Sequence, residues 1–127
     1  MAMEPITTEI LVLGAGPGGY AAAFYAADKG KTVTLVEQNP RLGGICLNVG
    51  CIPSKALLHA TEILRESKES AARGIAFGAA QIDLEKLRTW KIAILDKLGQ
   101  GIRTLAEHRK VKVIHGRGHF EDSQTLR

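Results

Sequence analysis

Read as a string of apolar and polar positions, the chain opens with two short apolar runs separated by an Ala-rich stretch. Residues 9–14 (Glu-Ile-Leu-Val-Leu-Gly) form a β-rich run of the kind found in a strand buried on both faces. Residues 20–29 are Ala-rich and free of glycine, which predicts a helix closed by Gly30 as its C-cap. Residues 31–37 (Lys-Thr-Val-Thr-Leu-Val-Glu) predict a second strand. Strand, glycine turn, helix and strand within residues 8–37 describe a βαβ unit with a parallel pair. From Asn39 the pattern turns through Pro40 and a second glycine cluster. A helix is predicted over 53–72, with Pro53 tolerated in its first turn, then a loop over 74–78. Over 83–108, Leu84, Leu87, Ile94, Leu98, Ile102 and Leu105 mark one apolar helical face. Gly99 and Gly101 weaken that helix by about 1 kcal/mol each relative to Ala, so close packing or a kink is expected there. Residues 111–115 predict a third strand, and the last residues begin another extended element.

Composition narrows the class. A chain of 127 residues, 45% hydrophobic and 24% charged, is an ordinary globular sequence, long enough for one core and one domain. The net charge of +4 is spread thinly: residues 1–60 balance four bases against four acids, and the excess lies in a mixed-sign stretch over 61–127. A short group at Arg109, Lys110 and Lys112 makes no basic stripe, so a solvated face is expected and no nucleic-acid partner. Eighteen uncharged residues run from Ile10 to Ala27, but Gly14, Gly16, Pro17, Gly18 and Gly19 interrupt them, and no membrane association is expected. No positive leader precedes the apolar run. The pattern is that of a cytoplasmic protein, or of the mature form of an organelle-matrix one.

Half of the fourteen glycines fall in two clusters, Gly14/Gly16/Gly18/Gly19 and Gly43/Gly44/Gly50. Gly14-Ala-Gly16-Pro17-Gly18-Gly19 fits G-x-G-x-x-G directly after a strand and before a helix. The first glycine permits the turn, the second lets backbone approach a pyrophosphate, and the third lets helix pack on strand. The phosphates would sit on unpaired N–H groups at the helix start. Glu37 ends the second strand 18 residues past Gly19, where an acid accepts from a ribose hydroxyl. Dinucleotide binding is the reading; the motif does not separate FAD from NAD, while the acid disfavours a 2′-phosphate. Gly116-Arg-Gly118-His-Phe-Glu121 also follows a strand but leads into no helix, and is read as a strand connection.

Cys46 and Cys51 enclose Leu47-Asn48-Val49-Gly50. Zinc would need a second pair of ligands, and the scattered histidines do not supply one, so no metal is expected. Two unrelated buried thiols and a redox dithiol remain. Five residues of regular helix rise about 7.5 Å, beyond the ~7 Å limit for Cα atoms of a disulfide, so a bridge needs a distorted turn, which Gly50 allows. Cys51 lies close to a helix N-terminus, where a thiolate is stabilised. Spacing leaves the two readings level.

Residues 43–59, Gly-Gly-Ile-Cys-Leu-Asn-Val-Gly-Cys-Ile-Pro-Ser-Lys-Ala-Leu-Leu-His, closely resemble the redox-active segment of the flavin-dependent disulfide reductases, which there follows an FAD-binding βαβ unit. Leu47 and the run Pro53-Ser54-Lys55-Ala56-Leu57-Leu58 look most like the dihydrolipoamide dehydrogenase branch. Glutathione-type members usually carry Lys where Ser54 stands, and mercuric-type members favour Val at positions 47 and 52. Ile45 stands where Thr is frequent. The resemblance implies an α/β, Rossmann-like FAD-binding domain with a parallel sheet, incomplete at its C-terminal end, residues 1–127 being its N-terminal part. It implies a disulfide oxidoreductase in which Cys46 exchanges with the dithiol substrate and Cys51 faces the flavin. Lys55 would lie near the flavin, and Gly14, Gly16, Pro17, Gly18, Gly19, Glu37, Gly43, Gly44 and the backbone at Cys46 would hold FAD. NAD would be the co-substrate, a dihydrolipoyl group on an acyltransferase the partner, and a homodimer the parent assembly.

The same resemblance implies parts that these residues do not contain: a second nucleotide domain for NAD and an interface domain carrying a His-x4-Glu pair. The residues five after His59, His108, His115 and His119 are Leu64, Val113, Phe120 and Gln124, so no histidine in the chain fits that role. A piece of a larger enzyme, inactive alone, is therefore expected, with another flavin disulfide reductase of mercuric or glutathione type, or a non-catalytic nucleotide-binding module, as the alternative.

Overall fold

The computed structural model describes residues 4–127; the part of the leader reading that rests on Met1–Met3 lies outside them. Three parallel strands, β1 (Ile10–Leu13), β2 (Val33–Glu37) and β3 (Lys112–His115), lie in the order β1-β2-β3. The registers are Val12 opposite Leu35 and Leu35 opposite Val113, which put Val12, Leu35 and Val113 on one face. Helices α1 (Pro17–Asp28) and α4 (Leu84–His108) pack against the sheet and each other, closing a core of Ala15, Ala23, Val33, Leu35, Leu42, Leu95, Ile102 and Ala106. The open parallel sheet with crossover helices is Rossmann-like.

Several elements differ from their sequence reading. Helix α1 begins a turn before Tyr20, with Gly16 as N-cap and Pro17 in its first turn, because proline is preorganised for that position. It ends at Asp28, capped by Lys29, and Gly30 follows at φ +80°, its N–H donating to the Ala27 carbonyl (2.9 Å). The turn after Asn39 contains a five-residue helix, α2 (Gly44–Asn48). Helix α3 (Cys51–Glu69) starts two residues before Pro53 and passes into a 3₁₀ turn, Ser70–Arg73.

Strand β1 is not buried on both faces. Leu11 and Leu13 are 37% and 44% exposed, because both helices lie on the opposite side of the sheet and β1 is an edge strand among the described residues. The buried stripe of α4 also differs: it runs through Leu95, Gly99, Ile102 and Ala106, while Leu84, Leu98 and Leu105 stay exposed. Gly99 takes an inner position because the helix lies close to the chain beneath it there. At Gly99 an added Cβ would stand 2.6 Å from Arg41 Cγ, whereas Gly101 faces open space, and the helix runs unbroken past both. Asp83 caps the helix, its carboxylate accepting from the Lys86 N–H (3.0 Å).

Candidate functional site

The carboxyl ends of the strands form the working edge, as expected for a parallel α/β sheet. The first glycine cluster turns there. Gly14 holds φ +95°, and its N–H donates to the Val36 carbonyl (2.7 Å). Gly19 has no room for a side chain, since a Cβ would lie 1.8 Å from the Gly14 carbonyl oxygen. No side chain caps α1 at Gly16, so its first-turn N–H groups, including those of Gly18 and Gly19, keep no side-chain acceptor. Pro17 occupies the first turn, where it gives up no helical bond.

The second cluster is pressed onto the first. The Gly43 N–H donates to the Ala15 carbonyl (2.8 Å), with Gly43 at φ +108°. Gly44, at φ +62°, approaches so closely that a Cβ would stand 2.5 Å from Gly16 Cα. Glu37 holds the other side of the same loop. It is 5% exposed, one oxygen accepting from the Ala15 N–H (2.8 Å) and the other from the Asn39 N–H (2.8 Å) and side-chain amide (2.9 Å). Burial alone would push this carboxyl up, but the N–H groups of Asn39, Ala15 and Gln38 outweigh it and hold it below the usual carboxylate value. Oε1 takes both Asn39 contacts, and Oε2, facing the Ala15 N–H, is the less occupied of the two oxygens.

A cleft of about 350 Å³ lies between these groups, lined by Gly14, Gly16, Glu37, Asn39 and Gly44. Another part of its wall is Gly116, Arg117 and Gly118, which the sequence alone marks only as a strand connection. The register places His115 opposite Glu37, and the Gly116 N–H donates to the Glu37 carbonyl (2.9 Å), so whatever follows β3 must flank the cleft. That adjacency of strand ends is the signal that could have found them. The segment then forms an antiparallel bridge, Phe120 with Leu126, and opens no helix.

Past Gly44 the chain reaches the cysteines. Cys46 lies in α2 and Cys51 is the first residue of α3, with the break at Val49 and Gly50, which leave helical geometry (φ −138° and −121°). Gly50 is close packed: a Cβ would be 3.2 Å from the Ile45 carbonyl oxygen and 3.6 Å from Cys46 Cα. The break folds the start of α3 back onto α2, and both cysteines are free thiols, Cys51 exposed. A side-chain hydrogen bond with Cys51 pushes the Cys46 thiol up, burial adds to this, and the Lys55 charge works against it. Lys55 itself is exposed, in the second turn of α3. Among the described residues no three His, Cys, Asp or Glu side chains gather as a metal site, and no helix is long and apolar enough to cross a membrane.

The residues fit a flavin dinucleotide. Glycines packed too closely for side chains at Gly19 and Gly44, an uncapped helix start and the Glu37 carboxylate meet around a single cleft. Comparison with known proteins agrees. The sequence profile of the family described as "Pyridine nucleotide-disulphide oxidoreductase" matches residues 8–127. The dihydrolipoyl dehydrogenases of Haemophilus influenzae and Vibrio cholerae are 49% and 46% identical over 123 residues, 97% of this chain. That of Geobacillus stearothermophilus is 47% identical over 122 residues, 96% of the chain. The chain spans 26% of the length of each of these curated relatives.

Proposed function

The chain belongs to the pyridine nucleotide-disulphide oxidoreductase family, and from that membership we propose that it forms the FAD- and dithiol-bearing part of a dihydrolipoyl dehydrogenase. The observation that carries this reading is the apposition of the two glycine loops, Gly43 N–H on Ala15 carbonyl and Gly44 against Gly16, the second loop leading two residues on to Cys46. Glu37 would take an adenosine ribose hydroxyl, the start of α1 the pyrophosphate, and Gly43, Gly44 and the backbone at Cys46 the flavin end. When bound there, FAD supplies a two-electron carrier between the dithiol and NAD⁺.

The chain's own residues do the sulfur chemistry. In the oxidised protein Cys46 and Cys51 would be joined as a disulfide. A thiolate of the dihydrolipoyl substrate attacks Cys46, the Cys46–Cys51 bond breaks, and a mixed disulfide forms with Cys51 released as thiolate. The second substrate thiolate then breaks the mixed disulfide, leaving lipoamide and the reduced Cys46–Cys51 pair; two electrons have moved to the protein and two substrate protons to its surroundings. Lys55 would place a positive charge beside this exchange and near the flavin. The substrate dithiol would be carried by an acyltransferase component, with the working enzyme a homodimer.

The test uses the full-length protein that contains this chain. Its oxidised, denatured form should be lighter than its reduced form by two hydrogen atoms, and Cys46→Ser should remove that difference. The same change should lower lipoamide-dependent turnover by about a thousandfold or more while FAD stays bound. Loss of FAD from the variant, or undiminished turnover, would contradict the exchange role of Cys46.

A further inference from the structure

A second cavity, of about 720 Å³, opens between the loop after β2, helix α2 and the middle of α4, and its walls include Arg41, Asn48, Asp96 and Gly99. Arg41 spans it. The side chain leaves the backbone just before the buried core residue Leu42 and divides its guanidinium between two elements. One nitrogen donates to Asn48 Oδ1 (3.3 Å) and another to the Asp96 carboxylate. Its aliphatic stem lies in the notch at Gly99, where a Cβ would stand 2.6 Å from Cγ and 3.0 Å from Cδ. Asp96 and Gly99 are three residues apart, hence neighbours on one helix face: one supplies the charge, the other the space.

Asn48 is the other half of the arrangement. It is the last residue of α2, two after Cys46 and three before Cys51. Its amide nitrogen donates to the Gly44 carbonyl (2.8 Å) and lies 3.4 Å from the carbonyls of Arg41 and Leu42. Arginine has no acceptor, so the Asn48 oxygen must face it and the amide nitrogen must face the carbonyls; one partner fixes the orientation of the whole side chain. A five-residue helix has no stability of its own, so α2 is held by such ties.

We infer that Arg41, seated on Gly99 and paired with Asp96, is a positioning residue that ties the Cys46–Cys51 segment to α4 through Asn48. This rests on the redox role proposed above for the two cysteines. The Arg41 pair with Asp96 is partly solvent-exposed, and such pairs add little to stability, so its removal should show in thiol behaviour rather than in melting.

The experiment uses the full-length, FAD-loaded protein and its Arg41→Ala, Arg41→Lys, Gly99→Ala and combined Arg41→Ala/Gly99→Ala variants. Each is reduced and treated with iodoacetamide across a pH series, with Cys46 labelling read by mass, and the rate of dihydrolipoamide oxidation is measured in parallel. Arg41→Ala should shift the pH midpoint of Cys46 labelling and slow substrate oxidation about tenfold, with FAD retained and the melting temperature little changed. Gly99→Ala should reproduce this by displacing the stem, and should add nothing to Arg41→Ala, because the stem it displaces is then already absent. Arg41→Lys should recover part of the rate through Asp96. A wild-type midpoint and rate in Arg41→Ala, or additive losses in the combined variant, would overturn the inference while leaving the redox role intact. Failure of the unaltered protein to form the Cys46–Cys51 disulfide would instead remove the reading on which it rests.

Discussion

Two sulfur atoms with the same intrinsic chemistry are made unequal by where the chain breaks. Cys46 sits in the middle of a short helix, and a side-chain hydrogen bond with the Cys51 thiol is the main reason its proton is held above the ordinary thiol range. A raised value means less thiolate at a given pH, so labelling of reduced Cys46 should be slow near neutrality and quicken only as pH rises through that value. Cys51→Ala removes the hydrogen bond and the neighbouring charge, and Cys46 should then label faster at pH 8. For each tenfold gain in thiolate the intrinsic nucleophilicity falls roughly threefold, so the rate rises by only about threefold per tenfold gain in thiolate. A rate unchanged or slower in Cys51→Ala would show that some other group holds the proton. Proximity of this kind was only half legible in the sequence. The spacing excludes a regular helix between the cysteines, and Gly50 marks the break, but the spacing alone fits two unrelated thiols equally well. Arg41 was not legible at all, because its partner Asp96 lies 55 residues away and nothing local announces the pairing.

Among the elements, the β1–β2 pair is clipped at its open end by Glu9. Its carboxylate accepts from the Thr32 N–H (2.7 Å), from Lys31 Nζ (2.9 Å) and from the Thr32 hydroxyl (3.1 Å). The Thr32 backbone bond is the largest cause of a carboxyl lowered from 4.5 to about 2, followed by Lys31. A folded value below the unfolded one favours the fold above the unfolded value, and that contribution is lost as pH falls toward the folded value. Glu9→Gln should therefore lower the urea midpoint slightly at pH 7, with the gap to the unaltered chain closing between pH 4.5 and pH 2. A gap that persists at pH 2 would mean the carboxylate's charge is not what holds the strands. The strands and glycine turns were legible because their signals are local: β-branched runs, a G-x-G-x-x-G after a strand, an acid at a strand end. What was not legible depends on neighbours in space. The uncovered face of β1 and the inner stripe of α4 through Leu95, Gly99, Ile102 and Ala106 follow from which side the helices occupy, and periodicity cannot choose between adjacent faces of one helix. Helix α2 is too short to show a period, and the wall at Gly116–Gly118 is set by strand order rather than by its own sequence.

For the molecule as a whole, the cleft proposed above to cradle a dinucleotide lies at the strand-end edge, while the far face of the sheet leaves Leu11 and Leu13 open to solvent. The proposed reaction needs two nucleotides, FAD and NAD⁺, held at once. Among the described residues one glycine-rich turn leads into a helix in the way a pyrophosphate requires, and the turn at Gly116 leads into the Phe120–Leu126 bridge instead. Relatives that carry the dihydrolipoyl dehydrogenase name are about four times as long as the stretch matched. A purified polypeptide of these 127 residues should then show no lipoamide-dependent NADH oxidation above a free-flavin control, even with FAD supplied. It should also bind a dye that reports exposed apolar surface, such as anilinonaphthalene sulfonate, and Leu11→Lys with Leu13→Lys should reduce that signal by about half or more, since the two leucines lie two apart on one sheet face. Lipoamide-dependent turnover by material of verified mass would place a second nucleotide site within these residues, and would require the wall of the cleft at Gly116–Gly118 to be assigned a different role.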